Sequence, residues 1–185
     1  MGHAIPVFFL PIGKRERPRK LSKWNDATNI LNRYYKEGDK VGFRMATSRN
    51  WWLEAILDDV SKALGISGLE FIVQEIALLD TEKLKEAQSA IQILTENLTS
   101  GKIEIDTEII NKIWGFHADM AETKHNLLFH KAFQEAKPFY DSYVTDSFSS
   151  YIGVVDFFSF IKTLDAIIVE TLENNKYLLI VQPQP

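Results

Sequence analysis

Cysteine is absent from the 185-residue chain. The absence excludes disulfide bonds, thiolate nucleophiles and cysteine-ligated zinc sites. It is also typical of proteins that work in a reducing compartment. We therefore predict a cytoplasmic protein without disulfides.

The sequence also has no apolar run near the ~18 residues that a membrane-spanning helix needs. Its apolar start, Ala4–Leu10, is much shorter. A secretory signal carries basic residues before its apolar core, whereas here they begin after it, at Lys14. We therefore expect a buried strand at this position, a soluble chain and no membrane partner.

Signatures of nucleotide binding and of hydrolysis are missing as well. The nine glycines are scattered, and none forms a phosphate-binding loop or a Gly-x-Ser-x-Gly turn. Because no catalytic constellation is complete, the sequence favours a protein that is not an enzyme.

Positive charge is concentrated between residues 14 and 23, which we call the basic segment. Its basic residues are Lys14, Arg15, Arg17, Arg19, Lys20 and Lys23. The whole chain nevertheless has a net charge of −4, so the remainder is acidic. If the segment is extended, Arg15, Arg17 and Arg19 project to one side and Glu16 to the other. The pattern fits a solvated loop, or a contact with an acidic protein surface or nucleic acid phosphates.

The overall charge of the chain favours a protein partner over a nucleic acid. Specific nucleic-acid readers are usually basic, whereas this chain has a pI of about 5.6. An acidic protein surface is therefore the favoured partner.

The adjacent residues Trp51 and Trp52 form a second candidate feature for binding. Trp52 lies on the apolar stripe of a predicted helix, which turns Trp51 partly outward. An exposed Trp either anchors an interface or packs on a neighbouring element.

Side chains of metal-ligand type, His117, Glu122 and His125, lie on the fourth predicted helix. Glu122 and His125 form a Glu-x-x-His pair, whose carboxylate and imidazole can reach one metal ion. Such sites need a second pair, which this chain lacks. We therefore expect no cofactor. A divalent metal belongs only to the alternative hypothesis of a metal-dependent helical enzyme.

Apolar periodicity predicts a helix-dominated α+β fold, with about five amphipathic helices packed on a small sheet. The predicted helices begin near residues 24, 50, 81, 106 and 151. Ile5–Leu10 and Tyr177–Val181 are apolar on both faces, which predicts two buried strands in one sheet. Residues 69–79 fit a strand or a helix, and we favour a strand because Asp80 is a suitable N-cap for the next helix.

No repeat and no Pro/Gly/Ser linker divides the chain, which predicts a single globular domain over residues 1–185. The preferred hypothesis is a small intracellular binding or regulatory protein that acts through its surface. Its candidate binding residues are Lys14, Arg15, Arg17, Arg19, Lys20 and Trp51. The alternatives are the metal-dependent enzyme and a nucleic-acid-associated protein that uses the basic segment.

Overall fold

A computed structural model describes residues 5–17, 29, 43–47, 53–99 and 148–181. The strands in this part are β1 (Ile5–Ile12), β2 (Phe43–Thr47), β3 (Ile76–Leu79) and β4 (Tyr177–Val181). The α-helices are α1 (Leu53–Ala63), α2 (Thr81–Thr99) and α3 (Phe148–Glu173). Two short 3-10 helices cover Lys14–Glu16 and Glu70–Val73.

The predicted count of about five helices is wrong for the part of the chain that the structure describes. That part has three α-helices and an antiparallel sheet. The predicted helices that begin near residues 24 and 106 fall outside the described residues, apart from the isolated position 29. α3 begins at Phe148, ahead of the predicted start at residue 151. Ser149 and Ser150 favour a helix only weakly, and tertiary context overrides such local preferences.

Residues 69–79 also depart from the single predicted strand. The 3-10 helix Glu70–Val73 buries Ile72, and the strand covers only Ile76–Leu79. The amide of Ile72 donates to the carbonyl of Leu69 at 3.1 Å, and that of Gln74 to Phe71 at 3.1 Å. An apolar run of this length carries no periodicity strong enough to show the change from turn to strand.

The sheet has the strand order β2-β1-β4-β3, and every neighbouring pair is antiparallel. β1 and β4 pair directly, with Phe8 opposite Val181 and Ile12 opposite Tyr177. The two apolar runs near the ends of the chain therefore lie side by side in one sheet.

Both faces of the sheet are buried. Phe9, Leu178 and Ile180 belong to the core cluster that also contains side chains of all three helices. Leu10 and Leu179, which alternate with them along the strands, belong to a separate buried cluster. Successive side chains of a strand point to opposite faces. Burial on both faces explains why β1 and β4 are continuously apolar in sequence.

Capping hydrogen bonds are present at the start of α2 and after the ends of α1 and α3. Asp80 caps α2, because its Oδ1 accepts a hydrogen bond from the amide of Lys83 at 3.0 Å. α1 ends at Gly65 with φ +67°, and α3 ends at Asn175 with φ +53°. In both turns the amide after the left-handed residue bonds back to the helix, at 2.8 Å and 3.0 Å, which defines a Schellman motif.

Candidate binding site at the edge of the sheet

The basic segment begins where β1 ends, and Lys14 attaches it to the turn between α3 and β4. Lys14 Nζ donates a hydrogen bond to Asn175 Oδ1 at 2.6 Å. The same ammonium group lies 5.8 Å from the centroid of the Tyr177 ring, within cation–π range. Tyr177 in turn lies opposite Ile12 in the sheet. Lys14 therefore fixes the start of the segment instead of offering a free charge.

The next residues form a turn, so the predicted extended conformation is wrong at this point. The amide of Gly13 donates to Glu16 Oε2 at 3.1 Å, and the amide of Glu16 donates to the carbonyl of Gly13 at 2.9 Å. These two bonds close the 3-10 helix Lys14–Glu16. Successive residues of a 3-10 helix point about 120° apart, so the regular alternation of an extended chain does not hold here.

Arg17 follows this turn and lines an open depression of about 710 Å³ beside β3. Residues of the 3-10 helix Glu70–Val73, all of β3 and the first two turns of α2 also line it. Arg17 can lie here because β1 and β3 end at the same end of the sheet: Pro11 and Leu79 both lie opposite Leu178 of β4. Of the described residues in the basic segment, Arg17 alone lines the depression.

Charges of both signs line the depression. Two of its carboxylates bond to nearby backbone amides: Glu70 Oε2 accepts from Gly68 at 2.8 Å, and Asp80 accepts from Lys83 at 3.0 Å. The cationic side chains of Arg17 and Lys83 make no hydrogen bond or ion pair within the described ranges. They are therefore available to an anionic ligand.

The structure brings together few of the residues that the sequence singled out. Lys14, Arg15 and Arg17 are all exposed, but only Arg17 reaches the depression. Several candidates lie outside the described residues: Arg19, Lys20, Trp51, His117, Glu122 and His125. In the part of the chain that the structure describes, no group of His, Asp or Glu side chains is arranged to hold a metal ion.

Sequence reasoning missed Lys83 and the whole edge of β3. A weak signal was present, because Gln74 and Glu75 interrupt the apolar run of residues 69–79. Both are exposed and lie just before β3. Two adjacent polar residues inside an apolar run indicate a break in the buried element, and hence a strand that begins near the surface.

Comparison of the chain with protein-family models, curated proteins and solved structures finds no match. None of the helices in the described ranges combines the length and the apolarity needed to cross a membrane. The geometry of the depression is therefore the basis for any functional assignment.

Proposed function

We propose that this chain is a small cytoplasmic binding or regulatory protein that recognises an acidic surface of a partner protein through Arg17 and the basic segment. The observation that carries the proposal is the position of Arg17. Its side chain is exposed, lines a depression of about 710 Å³ and has no ionic partner among the described residues.

Arginine suits this task because its planar guanidinium group presents paired donors to a carboxylate. Such charge-assisted bonds are roughly twice as strong as neutral ones. The attachment of Lys14 to Asn175 and Tyr177 holds the backbone next to Arg17 in place. A fixed backbone reduces the conformational entropy that a partner must overcome on binding.

The charge around the depression favours a protein over a nucleic acid. Glu70, Asp80 and Glu86 lie in the same depression as Arg17. Together with the net charge of −4, they would repel a long polyanion. A partner with only a few carboxylates, placed to meet Arg17 and Lys83, experiences less of this repulsion.

Charge reversal of the three arginines tests the proposal. The variant carries Arg15→Glu, Arg17→Glu and Arg19→Glu, and the probe is a fluorescent peptide of alternating glutamate and glycine residues. We expect the native protein to bind the peptide less tightly as salt rises, because exposed charges are screened beyond about 10 Å at 0.1 M. The variant should bind about tenfold or more weakly, since each lost charge-assisted bond is worth about 1.5–3 kcal/mol.

The matched control is Lys85→Glu, which reverses an exposed charge of α2 that does not line the depression. It should leave peptide affinity nearly unchanged, and circular dichroism should show that both variants are folded. Equal affinity of the triple variant and the native protein would show that the segment is only a solvated loop. Tight, salt-sensitive binding of a DNA duplex, lost in the triple variant, would support the nucleic-acid alternative instead.

A further inference from the structure

We propose that the depression binds its partner as an extended peptide, which adds to the edge of β3 that is unpaired within the described ranges, as a further antiparallel strand, and places an acidic residue against Arg17 and Lys83. This inference rests on the proposed function, because the acidic partner is the one argued above. It adds the conformation of the bound segment and the element that holds it.

The first observation is that β3 lies at the end of the sheet. Within the described ranges it pairs only with β4. Alternate residues of an antiparallel strand direct their N–H and C=O groups to opposite sides. Two of the four residues of β3 therefore present backbone donors and acceptors away from β4, which is the template for strand addition.

The second observation is that all four residues of β3 line the same depression. Ala77 and Leu79 pack into the core cluster shared with the helices, whereas Ile76 and Leu78 pack against the cluster on the other face. Side chains from opposite faces of one strand can meet a common space along its edge or beyond its end, and a space lined by all four residues of β3 extends along the edge. The depression therefore follows the backbone of β3, from Gln74 to Asp80.

The third observation concerns the size and the apolar wall of this space. A volume of about 710 Å³ lies within the roughly 300–1,000 Å³ of ligand pockets. Phe71 is half-buried and lines the depression together with Ile76 and Leu78. A peptide strand on this edge would have backbone partners from β3 and apolar contacts for its alternate side chains.

Charge sets the direction of the peptide. Arg17 follows β1, whose end lies level with the end of β3 on the other side of β4. Lys83 lies in the first turn of α2, and its backbone amide bonds to the carboxylate of Asp80 at this end of β3. Both cations are therefore near the C-terminal end of β3. Every described pair in the sheet is antiparallel, so a matching added strand would run opposite to β3. Its acidic residue then belongs at the N-terminal end of the bound segment.

Synthetic peptides of alternating valine and threonine test the proposal, with either two glutamates or two lysines at the N-terminus. Two further versions of the glutamate peptide carry backbone N-methyl groups, one on the odd and one on the even residues. Affinity is measured by fluorescence anisotropy, and binding at β3 by hydrogen exchange of the amides of Ile76–Leu79.

We expect the glutamate peptide to bind about tenfold or more tightly than the lysine peptide, and Arg17→Glu to remove this preference while Lys85→Glu does not. The bound peptide should slow exchange of the outward-facing amides of β3. One N-methylated version should lose about tenfold or more in affinity, because its methyl groups block the bonds to β3, and the other should bind like the parent.

Several outcomes would overturn strand addition. They are equal affinity of both N-methylated versions and the parent, binding without slowed exchange at β3, binding of none of the peptides, and self-association through β3 that the peptides do not disrupt. A glutamate preference that depends on Arg17 but comes without protection of β3 would leave the proposed function standing. Protection of β3 with equal binding of both charged peptides would instead refute the acidic partner.

Discussion

Individual glycines decide how the chain turns into the wall of the depression. Gly68 has φ +103°, a conformation that other residues rarely adopt, and a Cβ placed there would lie 3.3 Å from the carbonyl oxygen of Glu86. Gly65 has φ +67°, but a Cβ placed there would meet nothing within 4 Å. The two positions therefore separate backbone strain from steric contact.

We expect Gly68→Ala to destabilise the protein by about 1–3 kcal/mol, because it combines backbone strain with a close contact to α2. Gly65→Ala is the matched control and should cost about 1–2 kcal/mol, from its conformation alone. Urea unfolding of both variants measures the difference. A loss for Gly65→Ala that equals or exceeds that for Gly68→Ala would mean that the contact with Glu86 is relieved by a small shift.

An ion pair on α1 makes the stability of the protein depend on pH. The carboxylate of Asp58 lies 2.6 Å from Lys62 Nζ, and this hydrogen bond and the attraction of its charge raise the pKa of Lys62 above its ordinary value of 10.5. A pKa raised by folding contributes stability that is complete below the unfolded value. It is lost as pH rises through the folded value.

We expect Asp58→Asn to lower the pKa of Lys62 toward its ordinary value, as measured by NMR titration of the lysine side chain. Asp59→Asn is the control and should lower this pKa less, because Asp59 acts on Lys62 only through the more distant attraction of its charge. Identical titration curves for the native protein and Asp58→Asn would show that the ion pair does not persist in solution.

Among the strands in the described ranges, β4 is the most completely buried. It lies between β1 and β3, and Leu178, Leu179, Ile180 and Val181 are each 0% exposed. Burial of such side chains is worth about 1.5–3 kcal/mol each. Together they match the whole stability of a typical domain, about 5–15 kcal/mol.

Deletion of Tyr177–Val181 should therefore unfold the protein, which circular dichroism and the loss of a cooperative urea transition would show. Ile180→Ala is a milder test and should cost about 2–5 kcal/mol. The comparison variant is Val73→Ala, at a side chain that is 45% exposed, where the loss should stay within about 0.5 kcal/mol. A folded deletion variant would refute the central place of β4.

Sequence predicted those elements whose signals are local. Asp80 marked the start of α2, and the apolar runs Ile5–Leu10 and Tyr177–Val181 marked β1 and β4. The amphipathic character predicted for the helix that begins near residue 81 agrees with α2, where Leu84, Ala87, Ile91, Leu94 and Leu98 are all buried.

The candidate site was not predictable in the same way, because it depends on distant parts of the chain. Arg17 lines the same depression as β3 and Lys83 only because β4 pairs with both β1 and β3. The turn at Lys14–Glu16 depends on the carboxylate of Glu16, which accepts a hydrogen bond from the amide of Gly13. The free energies of this turn and of the extended conformation differ little, because such local side-chain bonds are weak. Periodicity reports neither kind of contact.

For the molecule as a whole, metal content separates the binding hypothesis from the enzyme alternative. We expect no stoichiometric zinc, iron or manganese after purification without chelator. The reason is that one Glu-x-x-His pair, with His117 nearby in sequence, supplies too few ligands for a closed site. Elemental analysis of the full chain provides the measurement.

The accompanying variant is His125→Ala. Because the helical pattern of the sequence predicts that His125 is buried, this change should cost about 1–3 kcal/mol of stability in the absence of metal. Urea unfolding with and without added zinc separates this loss from any contribution of metal. About one equivalent of bound metal that disappears in His125→Ala would favour the metal-dependent enzyme over the binding protein.

The position of β4 also has a consequence for how the chain is made. Synthesis proceeds from β1 towards β4, yet β4 is the strand that joins β1 to β3. Until residues 177–181 leave the ribosome, both strands lack their shared neighbour and their apolar side chains are unprotected. Closing this sheet brings together residues more than 160 positions apart, which makes folding slow. We therefore expect the nascent chain to be more exposed to aggregation than the folded protein.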